Sequence, residues 1–249
     1  MIILSILFFI TSILYSSVGF GGGSTYLALL LIWDVPYYIF PVIALFCNII
    51  VVTGNSINYV RAGNHNLKSL IPFIIGSIPS AFVGGTLIIE KEIFEILLFL
   101  VLSVAGILLL INIKAYEDKK IVIKKLNYFV SILIGSFLGL ISGLIGIGGG
   151  IFLSPILFLL KADKPKNIIT TASLFILLNS IFGIFGQLTK DNIINELPSY
   201  LPLFLVVLIG GLIGNYLNIK IFSNRTLTLI TSLLVILVAF RMGLKLFYN

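Results

Sequence analysis

Charged side chains leave eight long gaps along the chain: Met1 to Trp33, Val35 to Val60, Ser69 to Ile89, Ile96 to Ile113, Leu126 to Leu160, Asn167 to Thr189, Leu197 to Ile219 and Thr226 to Phe240. Most match the roughly 20 apolar residues that a helix needs to cross about 30 Å of hydrocarbon. The ten-residue alternation of a membrane β-barrel is absent, so the pattern predicts helices. Two gaps are interrupted by glycine, as GFGGGST from Gly19 to Thr25 and as GIGGG from Gly146 to Gly150.

Composition sets the solvent. Hydrophobic residues make up 59% of the 249 positions, charged residues only 10%, and the mean hydropathy is +1.19. Soluble chains carry about a quarter charged residues, so this chain belongs in a lipid bilayer. The opening MIILSILFFITSILYSS lacks the basic segment and small-residue cleavage site of a secretory signal and reads as mature structure. The net charge of +7 lies in the loops between apolar segments, where basic residues set topology, and implies no nucleic-acid partner. No lysine follows the first glycine cluster, and Ser24 stands where a dinucleotide fingerprint wants its third glycine, so a soluble nucleotide loop is a poor fit. One histidine, one cysteine and no carboxylate within an apolar gap offer neither a metal cluster nor a catalytic dyad. No enzyme activity and no cofactor are expected. Cys47 is expected to be a buried small apolar residue, and His65 an ordinary solvated side chain of a basic loop.

The chain also repeats itself. An offset of 127 sets Gly19, Gly21, Gly22 and Gly23 on Gly146, Gly148, Gly149 and Gly150. An offset of 129 sets Pro36 on Pro165, Ala44–Phe46 on Ser173–Phe175, Gly54 on Gly183 and Asn58 on Gln187, and an offset of 134 sets Gly76 on Gly210 and Ser80 on Gly214. The expected architecture is an all-α polytopic membrane protein of two homologous halves, each a glycine-broken element followed by three transmembrane helices. The first repeat spans 1–113, a basic linker 114–125, and the second repeat 126–249.

Two glycine clusters, each near the start of a half, with ALF and ASLF leading a helix in each half, resemble the TauE/SafE family of sulfite exporters and related anion transporters. The resemblance covers essentially the whole chain. It implies a multi-pass transporter of the cell (inner) membrane that moves sulfite, an organosulfonate or another sulfur-containing anion. It also implies that the glycine clusters, with Ser24 and Thr25 after the first, form the functional positions. The second half has Ile151 and Phe152 there, so its contribution would come from backbone alone.

Topology can be argued from charge. If every gap crosses once, Lys and Arg divide without a clear bias. If each glycine-broken element instead returns to the side it entered from, twelve basic residues face one side: Arg61, Lys68, Lys114, Lys119, Lys120, Lys124, Lys125, Lys161, Lys164, Lys166, Lys220 and Arg225. Only Lys91, Lys190, Arg241 and Lys245 face the other. The positive-inside rule favours this second arrangement with the linker cytoplasmic. It leaves three crossings per half, so the halves are expected to be inverted relative to one another.

Non-helical backbone survives at membrane depth only where it is buried in protein or lines a watery cavity. The breaks therefore mark a candidate anion site of Gly19, Gly21, Gly22, Gly23, Ser24, Thr25, Gly146, Gly148, Gly149 and Gly150. Helices starting near Ser24 and Ile151 would each present unpaired N–H groups and a positive dipole end, which suit an oxyanion without any basic side chain. The alternative reading of these glycines is close helix packing, the preferred account for Gly135, Gly139, Gly143, Gly210 and Gly214. Among polar residues at membrane depth, Asn48 and Asn179 are expected to line the path, and Asn58 and Gln187 to hold helices together. With no intramembrane carboxylate, coupling is absent or travels on the anion itself as a protonated species. The partners expected are thus a small anion and the bilayer. The rival readings are an anion channel and a non-transporting scaffold or receptor.

Overall fold

The computed structural model describes residues 1–111 except Asp34, residues 123–190 except Lys125, residues 193–220, and isolated positions between 229 and 244. Most of the 114–125 linker and of the final apolar gap lies outside the described residues. Among the described residues the regular elements are all helical. They are α1 (Ile2–Val18), α2 (Gly23–Ile32), α3 (Phe40–Arg61), α4 (Leu67–Thr86), α5 (Lys91–Ile111), α6 (Tyr128–Ile145), α7 (Gly150–Leu159), α8 (Pro165–Gln187), α9 (Ile193–Glu196) and α10 (Leu201–Lys220). Short 3₁₀ turns at Tyr37–Ile39 and Leu197–Tyr200 lead into α3 and α10.

Local chemistry explains the boundaries. Proline stands in the first turn of both α3 and α8, where its missing N–H has no intrahelical role. Asn66 and Asn127 cap α4 and α6 by accepting from Ser69 N and Phe129 N. The helices α1 and α6 stop at Gly19 and Gly146, whose φ of 90° and 95° is the left-handed conformation that glycine adopts without a Cβ penalty.

Among the described residues five helical stretches are long and apolar enough to cross a membrane: Tyr37–Arg61, Leu67–Thr86, Tyr128–Ile145, Lys166–Gln187 and Leu197–Leu217. The exterior is correspondingly apolar, with Ile2, Ile75, Phe137, Leu205 and Leu212 exposed, the surface of a multi-pass membrane protein. Helices α2 and α7 have ten residues each and reach only about 15 Å, half the hydrocarbon thickness.

The most extensive helix pairs are α4 with α6 and α1 with α10, while α3 and α8 pack on each other at the centre. Glycine makes these approaches possible. A Cβ at Gly135, Gly139 or Gly143 would strike the backbone of Phe73, Ser77 or Ala81 on α4. Gly210 and Gly214 stand in the same way against Phe9 and Ile13 on α1. Both sets are thus packing glycines.

These contacts correct one sequence match. Gly84 bears on Leu140, and Gly214 bears on Ile13. Leu140 and Ile13 are separated by the 127 positions that relate the two breaks, so Gly214 corresponds to Gly84 rather than to Ser80. The offset of 134 is displaced by four residues, about one helical turn. Small residues recur every four positions at Gly76, Ser80 and Gly84, so a self-match cannot distinguish one turn from the next.

At one end of the bundle, Asn66 Nδ2 donates to Asp163 Oδ2 at 2.7 Å, and Lys124 N donates to Lys161 O at 3.0 Å. The α3–α4 loop, the segment before α6 and the α7–α8 loop therefore lie together. Tyr38 donates to Glu196, bringing the start of α3 beside the start of α10.

Candidate functional site

The two breaks have the same construction. Gly22 and Gly149 precede α2 and α7 with φ of 83° and 75°. Gly22 O accepts from Thr25 N and Tyr26 N, and Gly149 O accepts from Phe152 N and Leu153 N, residue for residue at the offset of 127. The N–H groups of Gly23 and Ser24, and of Gly150 and Ile151, precede these first bonds and have no acceptor within their helices. The loops differ at one point: Gly148 has a φ of 83°, whereas its counterpart Gly21 has no positive φ.

The breaks also meet. A Cβ on Gly23 would come within 3.0 Å of both Gly146 O and Ile147 O. Asn48 of α3 fills the seam. Its Nδ2 donates to Gly146 O at 3.3 Å, and its amide fits only because Gly21, Gly23 and Gly148 have no side chains. Asn48 is fully buried, and among the described residues its Oδ1 has no hydrogen-bond partner. A cavity of about 10 Å³, room for roughly one water, is lined by residues of both breaks, Gly21 to Ser24 with Ile147 and Ile151, and by Tyr15, Phe20 and Ile176.

Ser24 and Thr25 are buried and share one partner: the Tyr15 hydroxyl lies 3.2 Å from Ser24 Oγ and 2.7 Å from Thr25 Oγ1. Three hydroxyls thus converge beside the first break. Sequence reasoning missed Tyr15, which sits in an apolar run with no local signal. It also missed Ser180, whose buried Oγ is unpartnered and would lie 3.3 Å from a Cβ on Gly148. Gly19 and Gly150 are brought to the edges of the same region, against Tyr59 and against Ile176 and Ala172.

Asn179 is placed differently. Its Nδ2 donates to Phe175 O within α8 at 2.8 Å, and its buried Oδ1 has no partner among the described residues. It does not line the small cavity. Asn58 Nδ2 donates to Asn215 Oδ1 at 3.1 Å, and Gln187 Nε2 to Gly143 O at 2.7 Å, both tying helices together. Cys47 is buried, and His65 is exposed in its loop.

A larger cavity of about 380 Å³ opens among the loops joined by Asn66 and Asp163, with Lys68, Phe73, Leu157 and Thr171 in its walls. Phe175, one turn beyond Thr171 on α8, is fully buried against Gly149. Lys190 lies beyond the other end of α8, where it donates to Gln187 Oε1 at 2.9 Å and where partial burial lowers its pKa to about 8. Among the described residues no group of three His, Cys, Asp or Glu side chains is arranged to hold a metal.

Comparison with known proteins gives this arrangement a family. The family model described as "Sulfite exporter TauE/SafE" matches residues 4–242. A probable membrane transporter protein of Sinorhizobium fredii is 28% identical over 98% of this chain and 97% of its own length. One of Bacillus subtilis is 25% identical over 100% of this chain and 97% of its own, and one of Methanocaldococcus jannaschii is 30% identical over 88% and 85%. No solved structure matches the chain. A membrane chain matched from Leu4 to Met242, with its two glycine breaks built alike, belongs to the sulfite exporter TauE/SafE family of membrane transporters.

Proposed function

We propose that the protein carries a small sulfur-containing oxyanion, such as sulfite, across the cell membrane, and that the anion binds where the two glycine breaks meet. The observation that carries this reading is the small cavity lined by residues of both breaks, Gly21 to Ser24 at the start of α2 and Ile147 and Ile151 around the start of α7. Each terminus contributes N–H groups that have no acceptor within their own helix, and these local donors rather than a net helix dipole would hold an oxyanion, because α1 and α6 end in the same breaks with the opposite partial charge. Tyr15, Ser24 and Thr25 add hydroxyl donors from the first half, and Gly148 to Ile151 add backbone alone from the second. The family description and the transporter names of the relatives support the same class of cargo.

The halves are inverted in this reading. Each half lends its first helix to the other half, α1 to α10 and α6 to α4, the reciprocal exchange expected of two repeats related by a two-fold axis. The arrangement in which each broken element returns to its own side is favoured by the bond from Asn66 to Asp163. Eight single crossings would set the Lys68 and Lys161–Lys166 loops on opposite faces. The basic end is then cytoplasmic by the positive-inside rule, and the 380 Å³ cavity is the mouth of the path on that side.

Uptake of radiolabelled sulfite, sulfate and thiosulfate into proteoliposomes, with and without a pH gradient, tests the reading. Saturable flux of at least one anion, lost in Gly22→Leu and Gly149→Leu, is expected. Flux that rises linearly with concentration would favour a channel. No flux above that of protein-free vesicles would sink the transporter reading.

A further inference from the structure

We propose that the 380 Å³ cavity at the basic end of the bundle binds an anionic phospholipid of the leaflet at that end, with the phosphate at Lys68 and part of an acyl chain in the cavity. The inference stands apart from the inter-break site and needs no transported anion. Three features of the cavity lead to it.

The first is its level in the bilayer. Of the lining residues, Lys68, Ile123 and Tyr128 are exposed and make the rim. Lys68 is the second residue of the crossing stretch Leu67–Thr86, and Tyr128 is the first of Tyr128–Ile145. The end of a crossing helix lies where hydrocarbon gives way to headgroups, a level that tyrosine favours. Leu67 and Ile71 near Lys68, and Phe129 and Val130 after Tyr128, are exposed large apolar side chains, the surface by which both helices meet lipid at this height.

The second is the division of the walls. The interior is formed by the buried side chains of Pro72, Phe73, Leu157, Ala162 and Ile168. Of the buried polar groups there, Ser131 Oγ donates to Asn127 O at 3.1 Å. Asp163, the one carboxylate among the lining residues, already accepts from Asn66 Nδ2, Lys164 N and Asn167 Nδ2. Thr171 adds a single hydroxyl. A free inorganic anion in this interior would exchange its water for apolar walls and a like charge, which is unfavourable. A hydrocarbon chain gives up no hydrogen bond there.

The third is size and rim charge. The volume falls in the range of small-ligand pockets, about 300–1,000 Å³, and is more than a small oxyanion fills. From Lys68 to Phe73 the wall descends about 8 Å along α4, from headgroup level into the hydrocarbon. Beside Lys68 stand two further exposed lysines, Lys124 and Lys161, next in sequence to the lining residues Ile123 and Ala162 and joined through Lys124 N to Lys161 O at 3.0 Å. Basic pockets between crossing helices attract anionic headgroups. An amphiphile with a negative head and an apolar chain matches both parts of the cavity, whereas an anion alone matches only the rim. On the reading proposed above the cavity is also the mouth of the path, so a seated lipid and a passing anion would share it.

The test uses the lipid-depleted full chain in detergent, with the unfolding midpoint followed against added lipid. Phosphatidylglycerol should stabilise saturably, at about fivefold lower concentration than phosphatidylcholine with the same chains, the factor one lysine contributes near a headgroup. Glycerol phosphate, a head without a chain, should not stabilise. The preference for phosphatidylglycerol should shrink toward parity in Lys68→Gln and survive in Lys68→Arg. It should also survive in Lys166→Gln, which makes the same charge change at the same end but outside the cavity wall. In a Cys47→Ala background, a Ser69→Cys thiol in the wall should be alkylated more slowly when phosphatidylglycerol is present. Equal stabilisation by phosphatidylcholine would overturn the anionic head, and equal stabilisation by glycerol phosphate would overturn the chain. An equal loss in Lys166→Gln, or an unchanged alkylation rate at position 69, would overturn the cavity as the site. None of these readouts involves flux, so each outcome leaves the transporter reading untouched.

Discussion

Asn66 donates its side-chain amide to Asp163 across 2.7 Å, joining loops that are 97 positions apart in the chain. Asp163 also accepts from Asn167 Nδ2 at 2.9 Å and from Lys164 N at 2.7 Å, so one buried carboxylate gathers the starts of α4 and α8. In a Cys47→Ala background, cysteines at positions 66 and 163 should cross-link with a short bifunctional thiol reagent. An impermeant thiol reagent added outside intact cells should reach neither. Labelling of either from outside would reverse the proposed orientation, and failure to cross-link would restore the eight-crossing arrangement.

The same carboxylate should matter to stability. Asp163→Ala removes three hydrogen bonds to a charged acceptor, and a loss of about 2 kcal/mol or more is expected. The measurement is the unfolding midpoint in detergent. Asp163→Asn, which keeps an acceptor oxygen, should recover part of the loss.

Glycines in the breaks and glycines between helices should fail differently. Gly22→Leu and Gly149→Leu force an L side chain to positive φ beside Tyr15 and Tyr26 or beside Phe175. They are expected to insert and fold yet lose flux. Gly139→Leu drives a side chain into the backbone of Ser77 and should lower the yield of folded protein first. Size-exclusion profiles and flux per folded molecule separate the two outcomes, and unimpaired flux in both break variants would remove the site from these loops.

The hydroxyl cluster should contribute modestly to binding. Ser24→Ala is expected to weaken anion binding by about 1 kcal/mol, and Tyr15→Phe by a similar amount, because each removes one donor from a set of three. Calorimetry on purified variants checks this. A double variant that loses no more than either single one would mean that the hydroxyls act only through each other.

Lys190 offers a pH test at the other end of the bundle. With a pKa of about 8, roughly half its amines are neutral at pH 8, against well under 1% for an ordinary lysine. An impermeant acylating reagent applied outside should modify it before Lys91, with a rate that levels off above pH 8. The unfolded chain binds more protons between about pH 8 and the ordinary lysine value, so this group's contribution to stability rises with pH across that window.

Much of this arrangement is legible in the sequence, for reasons tied to single residues. Glycine is the residue that occupies left-handed backbone without strain, so Gly19 and Gly146 mark helix ends wherever the chain folds. The four-residue spacing of Gly135, Gly139 and Gly143 announces a backbone-to-backbone contact but not its partner. The role of Tyr15 is invisible because its meaning comes from Ser24 and Thr25 across a turn that the apolar pattern does not describe. The bond from Asn66 to Asp163 is invisible too, since two polar residues in separate loops carry no mutual signal. The register of α4 against α10 failed because the motif repeats with the turn of the helix itself.

The exchange of α1 and α6 between halves limits how the molecule can move and how it can be divided. Residues 1–113 alone would leave the glycine-lined groove of α4 empty and the inner face of α1 without its cover, and residues 126–249 would have the complementary defect. Neither fragment closes its own interior, so the two should be obtained only when made together. The sequence halves are therefore not the mechanical halves. A change of access that swung one against the other would have to unlatch two interfaces in which backbone touches backbone. A change of access that kept α1 with α10 and α4 with α6 would leave both of these interfaces intact.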